Sequence, residues 1–251
     1  METNSKMTEI ESLFCEINKY DKYPLEWKMK KVCGEIKGFS FFPGGKGIFY
    51  NSEEGSDKSE TISDKEYMIL GNDWGTLKYY DSAMNEPEPK KDPTDPTSRN
   101  LLKLLKQVEI KPENCFFTNA ILGVRTDREI TAKPQGNEEF LYLCKEFFKK
   151  QVSVQRPKAI FVLGKYPAKF LATLNDKLNV WEKFPNFKTI DEKGDQIIKN
   201  VQILPDLSVN FVLLVHPCWS HVAVKGRRYF TKEKTYIGND AEVEMIKEVM
   251  K

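Results

Sequence analysis

Histidine is scarce in this chain: there are two in 251 residues, and both lie in the segment His216-Pro217-Cys218-Trp219-Ser220-His221. Long apolar runs are missing as well. The run Phe211-Val212-Leu213-Leu214-Val215 falls far short of the roughly 20 residues that a membrane-spanning helix needs. Cysteine is limited to five residues (Cys15, Cys33, Cys115, Cys144, Cys218), an odd number with no Cys-x-x-Cys spacing. That argues against a disulfide framework, a zinc site and an iron–sulfur cluster, so neither metal nor cofactor is expected. The thiols are read mainly as small apolar fillers of the core. An excess of one charge is also lacking. Net charge is +2, so any affinity for DNA must come from local basic patches rather than the average. The opening Met-Glu-Thr-Asn-Ser-Lys has no basic-then-apolar leader pattern, and a cytoplasmic protein is expected. No internal repeat is visible. The length suits one sizeable domain, and the composition is that of an ordinary globular protein.

Four short apolar runs punctuate the chain: Tyr67–Leu70, Cys115–Thr118, Ala159–Leu163 and Asn210–Val215. Runs of this length suit strands buried on both faces, as in a parallel sheet. Helical patterns lie between them. Residues 98–107 carry four leucines, and residues 137–150 place Phe140, Leu141, Cys144, Phe147 and Phe148 on one stripe with Asn137 as cap. Residues 166–174 follow the third strand, a last helix starts near Asp240, and an amphipathic helix is expected over 5–19. Residues 51–65 read as an exposed loop, and the prolines of 81–98 exclude regular structure there. A long insert, 175–209, is read as holding a hairpin turn at Asp191-Glu192-Lys193-Gly194. Alternation of strands and helices predicts an α/β fold, with the ligand site beyond the carboxyl ends of the strands.

Those ends are occupied by Gly71-Asn72-Asp73-Trp74-Gly75-Thr76, Asn119-Ala120-Ile121-Leu122, Gly164-Lys165 and His216-Pro217-Cys218. An acid, an amide and a histidine thus emerge on one edge of a sheet. In this order the segments resemble the uracil-DNA glycosylase superfamily, in which a Gly-x-(Asp or Asn) loop, a strand ending in Asn and a His-Pro-Ser segment follow one another. The likeness spans about residues 66–230. Two positions depart from the pattern: Trp74 stands where a proline is usual, and Cys218 where serine is usual. The four cysteines of cluster-bearing members are not reproduced.

The resemblance implies a three-layer αβα sandwich around a mainly parallel four-stranded sheet. It is expected to form a single domain over 1–251, with an N-terminal helical extension to about residue 65. It also implies a DNA glycosylase that hydrolyses the N-glycosidic bond of uracil or a related or modified pyrimidine flipped out of single- or double-stranded DNA. A monomer is expected. In that reading Asp73 stabilises the sugar cation and orients water, and His216 donates to the departing base. Asn119 reads the pyrimidine edge, within a loop of Gly71, Asn72, Trp74 and Gly75. Trp74, Tyr79 or Tyr80 would offer a stacking face.

For DNA contact the resemblance points to Gly164, Lys165 and Ser220, with Trp219 or His221 as a wedge. The residues themselves add the basic, aromatic stretch of Lys225, Arg227 and Arg228 and the glycine-rich Gly44–Lys46. Each feature also has a plainer reading: Asp73 and Asn119 as caps, the tryptophans as core, the basic stretch as a solvated face and Gly44-Gly45 as a turn. Two rival functions stand beside the first. One is a DNA-binding module of this fold without chemistry, the other a hydrolase of free nucleosides.

Overall fold

The computed structural model describes residues 23–24, 28–30, 66–78, 81, 96–126 and 137–251. The helix expected over 5–19, the loop over 51–65, Gly44, Lys46, Tyr79 and Tyr80 lie outside these. In chain order the strands are β1 (Met29–Lys30), β2 (Tyr67–Gly71), β3 (Cys115–Asn119), β4 (Val124–Arg125) and β5 (Ala159–Leu163), then β6 (Ile197–Leu204), β7 (Leu207–Leu214), β8 (Arg228–Phe230) and β9 (Thr235–Ile237). The α-helices are α1 (Pro96–Gln107), α2 (Glu138–Gln155), α3 (Lys165–Ala172), α4 (Phe187–Lys193), α5 (Ser220–Ala223) and α6 (Asn239–Met250).

The central sheet runs β3-β2-β5-β7-β6. Its first four strands are parallel, and they are the four apolar runs of the sequence. Alternate residues face opposite sides. Met68, Leu70, Phe116, Ile160 and Val162 join α2 and α3 in one core. Tyr67, Ile69, Phe117, Phe161 and Val212 join α1 and α6 in the other. Helices therefore cover both faces, which accounts for strands without a polar side. Asn137 caps α2 as expected, its side chain accepting the Phe140 N–H at 2.9 Å.

Three readings of the sequence are corrected. The sheet has five strands, because β6 comes from the 175–209 insert and pairs antiparallel with β7. Its mixed burial and the register shifts in its pairing obscured it, because the apolar alternation of an edge strand is broken there. The turn expected at Asp191–Gly194 is instead the end of α4. Asn186 caps its start by accepting the Thr189 N–H at 2.8 Å, and Gly194 at φ 78° stops it in the left-handed region. The hairpin bend lies at Pro205-Asp206, between Leu204 and Leu207. Finally, Pro96 does not break structure. It opens α1, where its missing N–H removes no helical bond.

The insert is locked into the core. Trp181 is fully buried, packs edge-on to Phe211 at 6.4 Å, and donates its indole N–H to the Asp195 carbonyl at 2.8 Å. The two crossovers flanking β2 and β5 run on opposite faces: α1 leaves β2 on one, and α3 leaves β5 on the other. That switch opens a crevice at the carboxyl ends of these two strands.

Candidate active site

The crevice is a cavity of about 660 Å³, inside the range of roughly 300–1,000 Å³ common for ligand sites. Of the residues singled out in the sequence, Gly71, Asn72, Asp73, Trp74, Gly75, Asn119, Gly164, Lys165, His216 and Trp219 all line it. They come from the ends of four different strands.

Asp73 sits just beyond β2. One carboxylate oxygen, Oδ1, accepts the Gly75 N–H at 2.9 Å, closing a tight turn in which Gly75 has φ 77°. The other, Oδ2, accepts from Asn72 Nδ2 at 3.0 Å and lies 3.0 Å from Arg125 Nε. Arg125 was not anticipated. It sits on β4, six positions past Asn119, and nothing in its immediate sequence context marks it. Both the turn-closing role and a place in the cavity therefore belong to Asp73.

Asn119 ends β3 and is almost wholly buried. Its side chain packs so closely over Gly71 that a Cβ there would collide with Oδ1. Its Nδ2 is buried with no hydrogen-bond partner. A buried donor left unmade costs about 1–3 kcal/mol, which a ligand carbonyl would recover.

His216 follows β7 and Val215. The backbone leading to and from it is held at three points. Gly164 N–H donates to the Leu214 carbonyl at 2.8 Å, Val215 N–H donates to Glu242 Oε1 at 2.7 Å, and Trp219 N–H donates to the His216 carbonyl at 2.9 Å. Gly164 has φ 92°, and a Cβ on it would come within 3.2 Å of His216 Cβ. The His-Pro turn is also held from α1, since Asn100 Nδ2 donates to the Pro217 carbonyl at 2.8 Å.

The imidazole ring is fixed as well. The Cys218 backbone N–H donates to His216 Nδ1 at 3.3 Å, and Cys218 Sγ lies 2.9 Å from the same nitrogen. A backbone N–H can only donate, so Nδ1 carries the lone pair and the proton resides on Nε2. Burial lowers the His216 pKa below its ordinary 6.5, opposed only in part by the charge of Asp73. The ring is thus a neutral Nε2–H donor at neutral pH. Cys218, standing in the usual serine position, keeps a group that can donate to Nδ1, and burial raises its thiol pKa above the ordinary value.

Among the remaining expectations, Trp219 is largely exposed on the cavity rim, whereas Trp74 is buried in the core with its indole N–H unpartnered. Ser220 and His221 lie on the short helix α5. Lys225 is exposed and Arg228 half-buried, and neither lines the cavity. Arg227 is a correction. Its side chain is 0% exposed and bonded to Asp191 and Glu242, so it is not available to DNA phosphate. The run Lys225-Gly226-Arg227-Arg228 reads as one basic face, but neighbouring side chains at the start of β8 point to opposite sides. Sequence reasoning also missed Phe187 and Tyr166, which line the cavity from α4 and α3.

No helix among the described residues is long and apolar enough to cross a membrane. A family model described as the uracil DNA glycosylase superfamily matches residues 81–233, more than half of the chain. The match contains Asn119 and His216, while Asp73 precedes it. No curated protein matches the sequence. With a mainly parallel sheet flanked by helices and these residues gathered at its carboxyl edge, the chain belongs to the uracil DNA glycosylase superfamily.

Proposed function

We propose that this protein is a DNA glycosylase that hydrolyses the N-glycosidic bond of uracil or a related pyrimidine flipped out of DNA. The observation that carries the reading is the pair of donors in one cavity. Asn119 Nδ2 is buried and unpartnered, and His216 has its Nδ1 engaged and its proton on Nε2. Two such donors suit a base with two carbonyl oxygens.

Cleavage builds positive charge on the sugar and negative charge on the leaving base. The Nε2–H of His216 stabilises the base anion, a contribution of about 3 kcal/mol for one preorganised donor. Asp73 supplies negative charge opposite the developing cation. A carboxylate has about four acceptor positions. Gly75, Asn72 and Arg125 engage both oxygens, which favours an electrostatic and water-orienting role over outright proton removal. Gly164, Lys165 and the exposed Trp219 line the same cavity, and this reading assigns them the phosphates flanking the flipped nucleotide and the gap left in the base stack.

The test is incubation of pure protein with labelled single- and double-stranded oligonucleotides, with and without one uracil, followed by alkali. Strand cleavage at uracil supports the reading. Binding without cleavage of uracil or a panel of modified pyrimidines supports a non-catalytic module instead. Turnover of free nucleosides with no DNA, and affinity that barely depends on salt, supports the small-glycoside hydrolase.

A further inference from the structure

Three charged side chains that do not line the cavity meet behind the strand that carries His216. Asp191 comes from α4, Glu242 from α6 and Arg227 from the turn before β8, and all three are buried. Arg227 Nε and Nη2 grip Asp191 at 3.0–3.2 Å. Its Nη1 donates to Glu242 Oε1 at 2.8 Å, and Nη2 also donates to the Leu213 carbonyl at 3.0 Å. Asp191 Oδ2 accepts the Arg228 N–H at 2.8 Å. The guanidinium lies 4.8 Å from the ring centre of Phe187, and that ring lines the cavity.

The network reaches the site through one bond. The Glu242 oxygen that holds Arg227 also accepts the Val215 N–H at 2.7 Å. Val215 is the residue between the end of β7 and His216. Its amide has passed beyond the ladder to β5, so without Glu242 nothing in the sheet would hold it. Three buried charges are a poor source of stability alone, since apolar replacements of similar size are often as stable or more so. What a charge-assisted bond adds is a fixed direction.

We propose that the Asp191–Arg227–Glu242 network is a positioning device for His216. Through the Val215 N–H it fixes the strand end from which the imidazole presents Nε2–H to the base. The insert therefore contributes to the site by way of Asp191, and the final helix by way of Glu242. This rests on the reading of His216 as the donor to the base.

Glu242→Met tests it. The substitution keeps the volume and removes the acceptor, and it leaves Arg227 in a balanced pair with Asp191, so the fold is expected to survive. The expected result is a kcat on a uracil oligonucleotide lower by about 10- to 100-fold, with KM within about twofold. Long-range ¹H–¹⁵N spectra are expected to show the His216 ring exchanging between tautomers or shifted from the Nε2–H pattern. Glu242→Gln, which retains an acceptor oxygen, is expected to recover kcat to within about threefold.

A folded Glu242→Met protein with unchanged His216 ring signals overturns the proposal, as does a loss confined to KM. The ring spectra need no substrate, so they decide the matter even if uracil is never released and the glycosylase reading itself fails. Should Glu242→Met not fold, Glu242→Gln decides: a kcat loss beyond about tenfold in a folded protein overturns the proposal.

Discussion

Asp73 and Arg125 form an ion pair at the edge of the cavity, with Nε 3.0 Å from Oδ2 and the carboxylate side chain only 6% exposed. The Nε–H is not aimed squarely at the oxygen, so the attraction is coulombic rather than a well-formed hydrogen bond. Such a pair orients a carboxylate that lines the cavity.

Arg125→Met is therefore expected to act through Asp73. Losing that orientation lowers kcat by about 10-fold or more, with Kd for undamaged DNA little changed. Single-turnover rates and a binding titration on the same preparation check this. An equal fall in DNA affinity and rate would instead make Arg125 a phosphate contact.

Asp73→Asn keeps the turn-closing oxygen for the Gly75 N–H and removes the charge. The expected loss is about 10²-fold in rate with folding intact, since the developing sugar cation loses its counter-charge. Circular dichroism and single-turnover excision measure both halves of that statement.

The pH dependence follows from burial of His216. Its folded-state pKa lies below 6.5, so the neutral donor persists at neutral pH and the acid limb of activity falls below 6.5. Between the folded value and 6.5 the unfolded chain binds more protons than the native one, so His216 makes stability rise with pH across that window. Asp73 opposes the shift, so Asp73→Asn is expected to lower the His216 pKa further. An NMR titration of the ring in both proteins reads this, and an upward move would contradict it.

Glycine is required at two strand ends. Gly71→Ala would drive a Cβ into the Asn119 side chain, and Gly164→Ala would combine a φ of 92° with contact on His216. Each is expected to destabilise the fold by about 1–3 kcal/mol and to reduce excision more than that loss of stability explains. Urea unfolding alongside kinetics separates the two effects.

Arg227→Met leaves Asp191 and Glu242 buried without their cation, and is expected to cost about 3–5 kcal/mol. Arg228→Ala and Lys225→Ala are expected to leave stability nearly unchanged. If these residues meet phosphate, each lowers the slope of log Kd against log salt by about 1.

Much of this arrangement was legible in the sequence because of its burial pattern. Strands covered on both faces appear as unbroken apolar runs, so β2, β3, β5 and β7 stood out, and the short segments that follow three of them, Gly71-Asn72-Asp73, Asn119 and His216, were legible as neighbours. What escaped notice depends on contacts distant in sequence. Arg125 looks like any surface arginine until β4 brings it to Asp73. Glu242 reads as one more polar residue of a terminal helix, and Arg227 as part of a basic face. The edge strand β6 carries Lys199 and Asn200 within its span, so its apolar signal was diluted into an apparent insert.

The most direct test of the central claim is single-turnover release of free base from a uracil-containing oligonucleotide, measured for the wild-type chain and for His216→Ala and Asp73→Asn. The account predicts free uracil and an alkali-labile strand from the wild type, with both variants slower by about 10²-fold while still folded and binding DNA. Release at wild-type rates by either variant, or no base released from uracil or any modified pyrimidine by a folded wild-type protein that binds DNA, would contradict it.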